Sequence, residues 1–133
     1  MPFVLDNSVV TGWYLEDQAT DYTEAVATKL ESECAVVPAI WQLEFANVLK
    51  TACTRGKLEI ETARQIMDAI GALPIEIDRD TPGPRQLFEL AMRHKLSSYD
   101  AAYLELALRM GLPIACQDGK LRDAARAAGV TVV

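Results

Sequence analysis

The sequence predicts a three-layer α/β/α sandwich built on a central, mostly parallel sheet of about five short strands. Three observations point there. Short apolar runs, such as Phe3-Val4-Leu5 and Ala35-Val36-Val37, recur between longer segments of helical periodicity. These runs lack the polar–apolar alternation of a strand with one wet face, as in parallel sheets covered on both sides. Strands that alternate with helices along the chain build such a sheet through right-handed crossovers. The chain has 133 residues, half of them hydrophobic, which suits one domain spanning 1–133.

The elements follow in order. Pro2-Phe3-Val4-Leu5 reads as a buried strand that stops at Asp6-Asn7-Ser8. Val9 to Leu15 reads as a short helix. Asp21 to Glu33 follows as a helix with Tyr22, Ala25, Val26 and Leu30 on one face. Ala35-Val36-Val37 is a strand ended by Pro38. Ala39 to Thr54 is a long helix, closed by Arg55 and by Gly56 as a C′ residue. Glu59 to Ala72 is a helix, and Pro74 to Asp78 a strand. Thr81-Pro82 reads as the cap of a helix reaching about Lys95.

Ser97 or Ser98 then caps a helix that runs to Met110. That helix is apolar nearly all round, which marks it as buried. Glu105 and Arg109 stand at i,i+4 and are expected to pair on a narrow exposed strip. Ile114-Ala115-Cys116 is a strand, Asp118 to Ala128 a helix, and Val130 to Val133 the last strand.

Composition narrows the function. The formal charge is −6, so the chain is not one that holds nucleic acid by its charge alone. A nuclease whose acids hold cations stays open. No apolar run approaches the roughly 18 residues that span a bilayer, and no secretory signal is visible, so no membrane is expected. The cysteines, Cys34, Cys53 and Cys116, form no C-x-x-C pair, and a reducing, cytoplasmic setting is expected, with each cysteine as core filler. His94 is the only histidine and sits in a basic helix end, which argues against a histidine-rich metal site or triad.

The chemistry then rests on carboxylates. In an open parallel sheet, ligands bind beyond the carboxyl ends of the strands. Asp6 follows the first strand and Asp118 the fourth, so both emerge on that edge. Asp100 lies in the first turn of the apolar helix. In the long helix, Trp41, Phe45, Val48 and Ala52 share an apolar face. Ile40, Glu44, Asn47 and Thr51 share another. Each acid also has a plain structural role open to it. Asp6 can start a turn, Asp118 can cap a helix, Asp100 can complement a helix dipole, and Glu44 can lie on a solvated face.

Four segments together carry a resemblance. They are Val4-Leu5-Asp6-Asn7-Ser8, Glu44-x-x-Asn47, Leu96-Ser97-Ser98-Tyr99-Asp100-Ala101-Ala102-Tyr103, and Ala115-Cys116-Gln117-Asp118. In this order they resemble a PIN domain, most closely the VapC-like toxins of VapBC toxin–antitoxin systems. The resemblance covers essentially the whole chain. It implies a Mg²⁺- or Mn²⁺-dependent endoribonuclease whose acids are Asp6, Glu44, Asp100 and Asp118. Asp6, Asp100 and Asp118 would be principal metal ligands. Glu44 would be a ligand through water or a helper for the nucleophile. Ser8 matches a hydroxyl residue assisting the first acid, and Asn47 matches the asparagine after the helix glutamate. One departure is Cys116, where the family usually has Thr or Ser.

Oxygen-only donors suit hard cations, which fits this implication. The resemblance further implies a cognate VapB-like antitoxin whose tail covers the acidic groove with an arginine, an RNA substrate, and a homodimer. Lys50, Arg55 and Lys57, and Lys120, Arg122 and Arg126, are candidate phosphate-contacting rims. Two other readings remain. One is a catalytically silent PIN-like module that acts only through a protein partner. The other is a phosphotransfer domain with Asp6 as nucleophile. Ser8 opposes it, since an Asp-x-Asp phosphatase needs an acid there.

Overall fold

A computed structural model describes residues 1–133. Its core is one four-stranded sheet, every pair parallel, in the order β3-β2-β1-β4. The strands are β1 (Phe3–Leu5), β2 (Ala35–Pro38), β3 (Ile75–Asp78) and β4 (Ile114–Ala115). Every residue of β1, β2 and β4 is buried, as strands covered on both faces must be. β3 lies at an edge and is only half-buried.

The helices are α1 (Asn7–Thr11), α2 (Asp21–Lys29), α3 (Ile40–Thr54), α4 (Ile60–Gly71), α5 (Pro84–His94), α6 (Ser98–Met110) and α7 (Gly119–Ala127). A single 3₁₀ turn, Glu16–Gln18, links α1 to α2. The sandwich expected from the sequence is thus present, and the sheet is smaller by one strand. Val130 to Val133 forms no fifth strand. Val132 makes one isolated bridge to Ile114, because β4 is only two residues long and offers no longer ladder.

Local chemistry explains most boundaries. Thr20 caps α2 in a reciprocal capping box with Thr23. Ser97 caps α6 by accepting from the Asp100 backbone N–H at 3.1 Å. Gly111 ends α6 in the left-handed conformation, φ 65°. One expected cap is displaced. Gly83, not Thr81-Pro82, precedes α5, and Pro84 takes its first turn, where the missing N–H costs nothing.

α6 lies against β1 and β2, and Ala101 to Ala107 are all buried. The expected pair of Glu105 and Arg109 forms, but only Arg109 is exposed. Glu105 is 5% exposed and is held by Arg109 at 2.9 Å. Arg109 also grips Asp78 at 2.7 Å, so the pair is a bridge between α6 and the end of β3. A carboxylate this deep needs such a partner.

On α3, Trp41, Phe45, Leu49 and Ala52 are buried. Leu49 takes the core place expected of Val48, which is half-buried. Trp41 stacks on Phe45 with ring centroids 5.0 Å apart. Cys116 is buried as expected and Cys53 half-buried, whereas Cys34 is exposed and fills no core. Gly12 is a close approach: a Cβ there would meet Thr23 Cγ2 at 2.5 Å. Trp41→Ala should cost about 3–5 kcal/mol by urea unfolding, since it removes a buried, stacked indole. Glu44→Gln, on the neighbouring face, should cost far less. The reverse ranking would contradict this assignment of helix faces.

Candidate active site

Three of the four acids sit where a helix begins. Asp6 follows β1 and is the N-cap of α1; its Oδ2 accepts from the Ser8 N–H at 3.2 Å. Asp118 follows β4 and is the N-cap of α7, accepting from the Leu121 N–H at 3.3 Å. Asp100 lies in the first turn of α6. Helix N-termini favour negative charge, which lowers the cost of placing acids there. Glu44 comes instead from the second turn of α3 and reaches Tyr103 on α6, whose hydroxyl donates to Glu44 Oε1 at 2.6 Å.

The four carboxylates come together and act on one another. Burial is the main force pushing the Asp6 carboxyl up to about 6, against the two hydrogen bonds from Ser8, and the charges of Glu44 and Asp118 add to it. Burial likewise pushes Asp100 up to about 6, with the charges of Asp6 and Asp118 adding to it. Glu44 is raised by burial and by the charge of Asp100, while Tyr103 opposes the rise. The charge of Lys120 opposes the rise at Asp100. Cys116 is raised to about 12, chiefly by burial. It is a neutral thiol in the core, with its N–H donated to the Tyr22 hydroxyl at 3.1 Å.

Ser8 belongs to the cluster, since its hydroxyl donates to Asp6 Oδ2. Asn47, one helical turn along α3 from Glu44, is exposed and lines a cleft of about 280 Å³ with Thr11, Gln18, Thr51 and Arg55. The basic rims are partly engaged. Lys57 pairs with Asp17 at 3.6 Å, and Arg126 reaches Asp123 at 4.0 Å. Arg122 lies over the Tyr22 ring at 5.1 Å.

Two residues escaped the sequence reading. Tyr103 stands three positions after Asp100 on a buried helix, and a buried phenol needs a partner, so the signal was present. Gln117 donates its backbone N–H to Ser8 Oγ and its side-chain Nε2 to the Ser8 carbonyl, both at 3.0 Å. Nothing in the sequence marks that pairing.

The donor set suits a hard cation in its chemistry: carboxylate oxygens only, mutually repelling, with burial and neighbouring charges already penalising the ionised form. As they stand, no three His, Cys, Asp or Glu side chains form a ready metal cage. Mg²⁺ commonly keeps several waters and binds through one or two carboxylates, so a looser arrangement is compatible with it.

The PIN domain model matches residues 3–127. The chain belongs to the PIN domain family. Ribonuclease VapC1 of Mycobacterium tuberculosis is 30% identical over 97 residues, covering 71% of each chain. Ribonuclease VapC3 of Pyrobaculum aerophilum is 23% identical over 125 residues, 92% of this chain and 94% of that one. Among solved structures, PAE2754 from Pyrobaculum aerophilum superposes with TM-score 0.68 at 17% identity, covering 93% of this chain and 87% of that one. VapBC2 from Rickettsia felis, bound to a DNA fragment from its promoter, gives 0.69 at 13% identity and covers 100% and 98%. This PIN domain is therefore VapC-like in sequence and in fold. No helix is long and apolar enough to cross a membrane.

The crowding has a sign. An acid whose folded pKa lies above its unfolded value binds more protons when folded, so stability falls as pH rises between the two. For Asp100 that window runs from 3.8 to about 6. In EDTA, the melting temperature of Asp100→Asn relative to the parent should therefore climb between pH 4 and pH 7. A difference that stays flat or falls across that range would mean Asp100 is not crowded by the other acids.

Proposed function

We propose that this PIN domain is a Mg²⁺- or Mn²⁺-dependent endoribonuclease, the toxin of a type II toxin–antitoxin pair acting on RNA in the cytoplasm. The observation carrying this reading is the convergence of Asp6, Glu44, Asp100 and Asp118 beyond the carboxyl ends of β1 and β4, with Lys120 close enough to Asp100 to oppose its rise. The names of the curated relatives, both ribonucleases, support it.

Asp6, Asp100 and Asp118 would hold one or two divalent ions, with Glu44 a ligand through water or an aid to the nucleophile. Bound there, the ion supplies Lewis acidity at the scissile phosphate and eases deprotonation of the attacking water. The chain's own part is positioning. Ser8 fixes one oxygen of Asp6, and Tyr103 holds Glu44 as a hydrogen-bond acceptor. Lys50, Arg55, Lys120 and the other basic residues around the acids contact flanking phosphates and offset the chain's net charge. Asn47 has its place at the adjoining cleft, on the substrate side rather than among the ligands.

A VapB-like antitoxin is the proposed partner, its tail covering the acids and offering an arginine to them. The VapBC2 assembly is the structural precedent for such a pair. The active form is proposed to be a homodimer, which doubles the basic rims.

Incubating total cellular RNA with the protein and Mn²⁺ or Mg²⁺, and mapping the new ends, tests the reading. Cleavage should require the metal, stop with EDTA, and fall at least about a hundredfold in Asp100→Asn, whose cap at Ser97 is intact. Parent-rate cleavage by Asp100→Asn would overturn the assignment of the acids. A well-folded parent that cuts no RNA with either metal would favour the silent binding module instead.

A further inference from the structure

Gln117 sits between Cys116 and Asp118, in the turn that leads from β4 into α7. It makes three hydrogen bonds to segments far away in the chain. Its backbone N–H donates to Ser8 Oγ at 3.0 Å, and its Nε2 donates to the Ser8 carbonyl at 3.0 Å. Its Oε1 accepts from Thr20 Oγ1, also at 3.0 Å. Thr20 is itself fixed as the N-cap of α2. One side chain thus joins the first turn of α1, the start of α2 and the turn that carries Asp118.

The consequence for Asp6 follows from counting protons. A serine hydroxyl has one proton to give and two lone pairs. With the Gln117 N–H directed onto the oxygen, that proton goes to Asp6 Oδ2. Oδ2 also takes the Ser8 backbone N–H, so both of its donors come from Ser8. The orientation of the Asp6 carboxylate is therefore set by where Ser8 lies. Where Ser8 lies is set in turn by two bonds from Gln117, one from each end of the residue. The other oxygen of Asp6 accepts no hydrogen bond from the chain and is left for a ligand.

We infer that Gln117 is a positioning residue: through Ser8 it aims the free oxygen of Asp6 into the acid cluster and holds Asp6 and Asp118 at a fixed spacing. The inference rests on the reading of Asp6 as a cation ligand. Partners behind metal ligands typically account for tenfold to a hundredfold in metal affinity or activity. Gln117 reaches no acid itself, so it acts on the cation only by placing those that do.

The test is direct Mn²⁺ binding by the full-length protein, followed by electron paramagnetic resonance, with melting in EDTA measured alongside. Gln117→Met keeps the length and bulk of the side chain and removes both side-chain hydrogen bonds. It should bind Mn²⁺ about tenfold or more weakly and need correspondingly more metal for cleavage, with the KM for RNA unchanged. Its EDTA melt should stay within a few degrees of the parent's. Should that variant fail to fold, Gln117→Asn, too short to reach the Ser8 carbonyl from the same backbone, makes the same comparison. Equal Mn²⁺ affinity in parent and variant would overturn the positioning role and leave the nuclease reading standing. A parent that binds no Mn²⁺ would overturn the nuclease reading, and this inference with it.

Discussion

Asp6 is 5% exposed, lies among three other carboxylates and pairs with no cation of the chain. Burying a charge in such surroundings is costly unless hydrogen bonds replace the lost water. Much of the fold near the acids can be understood as the means of holding that residue in place. β1, which ends at Asp6, lies between β2 and β4 and is hydrogen-bonded on both sides. The Asp6 backbone N–H donates to the Ala115 carbonyl at 2.9 Å, and the side chain is bound by Ser8. A rigid central strand is what allows a group that would otherwise move toward water to stay where it is.

The structural and the chemical roles of these acids turn out to be the same geometry. Asp6 and Asp118 each cap a helix, and Asp100 sits in a first turn. For the two caps, the oxygen that accepts from the helix N–H fixes the side chain, and the second oxygen is released from that duty. The helix dipole then lowers the cost of gathering like charges. An acid at a helix start can therefore satisfy a local rule and serve a distant purpose together. For the same reason, the modest signal of an N-cap cannot by itself separate the two roles in a sequence.

The parts of the structure legible in the sequence were those governed by local pattern. β1, β2 and β4 announced themselves as short apolar runs, β3 as the short Ile-Glu-Ile-Asp segment after Pro74, and α6 as an apolar helix with a serine cap. The clustering of Asp6, Glu44, Asp100 and Asp118 followed from the resemblance and from where strands end. What failed depended on partners far off in the chain. Glu105 looked exposed because its pairing with Arg109 suggested a surface strip, while the third member, Asp78, was invisible at that distance. Val130 to Val133 had a strand's composition, but its neighbour β4 was too short to pair with it. Gln117 obeyed no periodicity at all, since its value lies in bonds to Ser8 and Thr20.

The strand order carries a consequence for how the molecule comes into being. β1 is made first, but one of its two neighbours, β4, is made nearly last. A ribosome releasing this chain from its N-terminus exposes β1 with a bare edge until residues Ile114 and Ala115 emerge. The acids are dispersed in the same way, at positions 6, 44, 100 and 118. Pairings between such distant segments form slowly, because the intervening chain must be ordered before they yield any stabilisation. A nascent or prematurely ended chain that stops before β4 has neither the finished sheet nor Asp118, and so lacks the fourth carboxylate of the cluster. Topology alone thus delays the appearance of the acidic cluster until synthesis of the domain is almost complete.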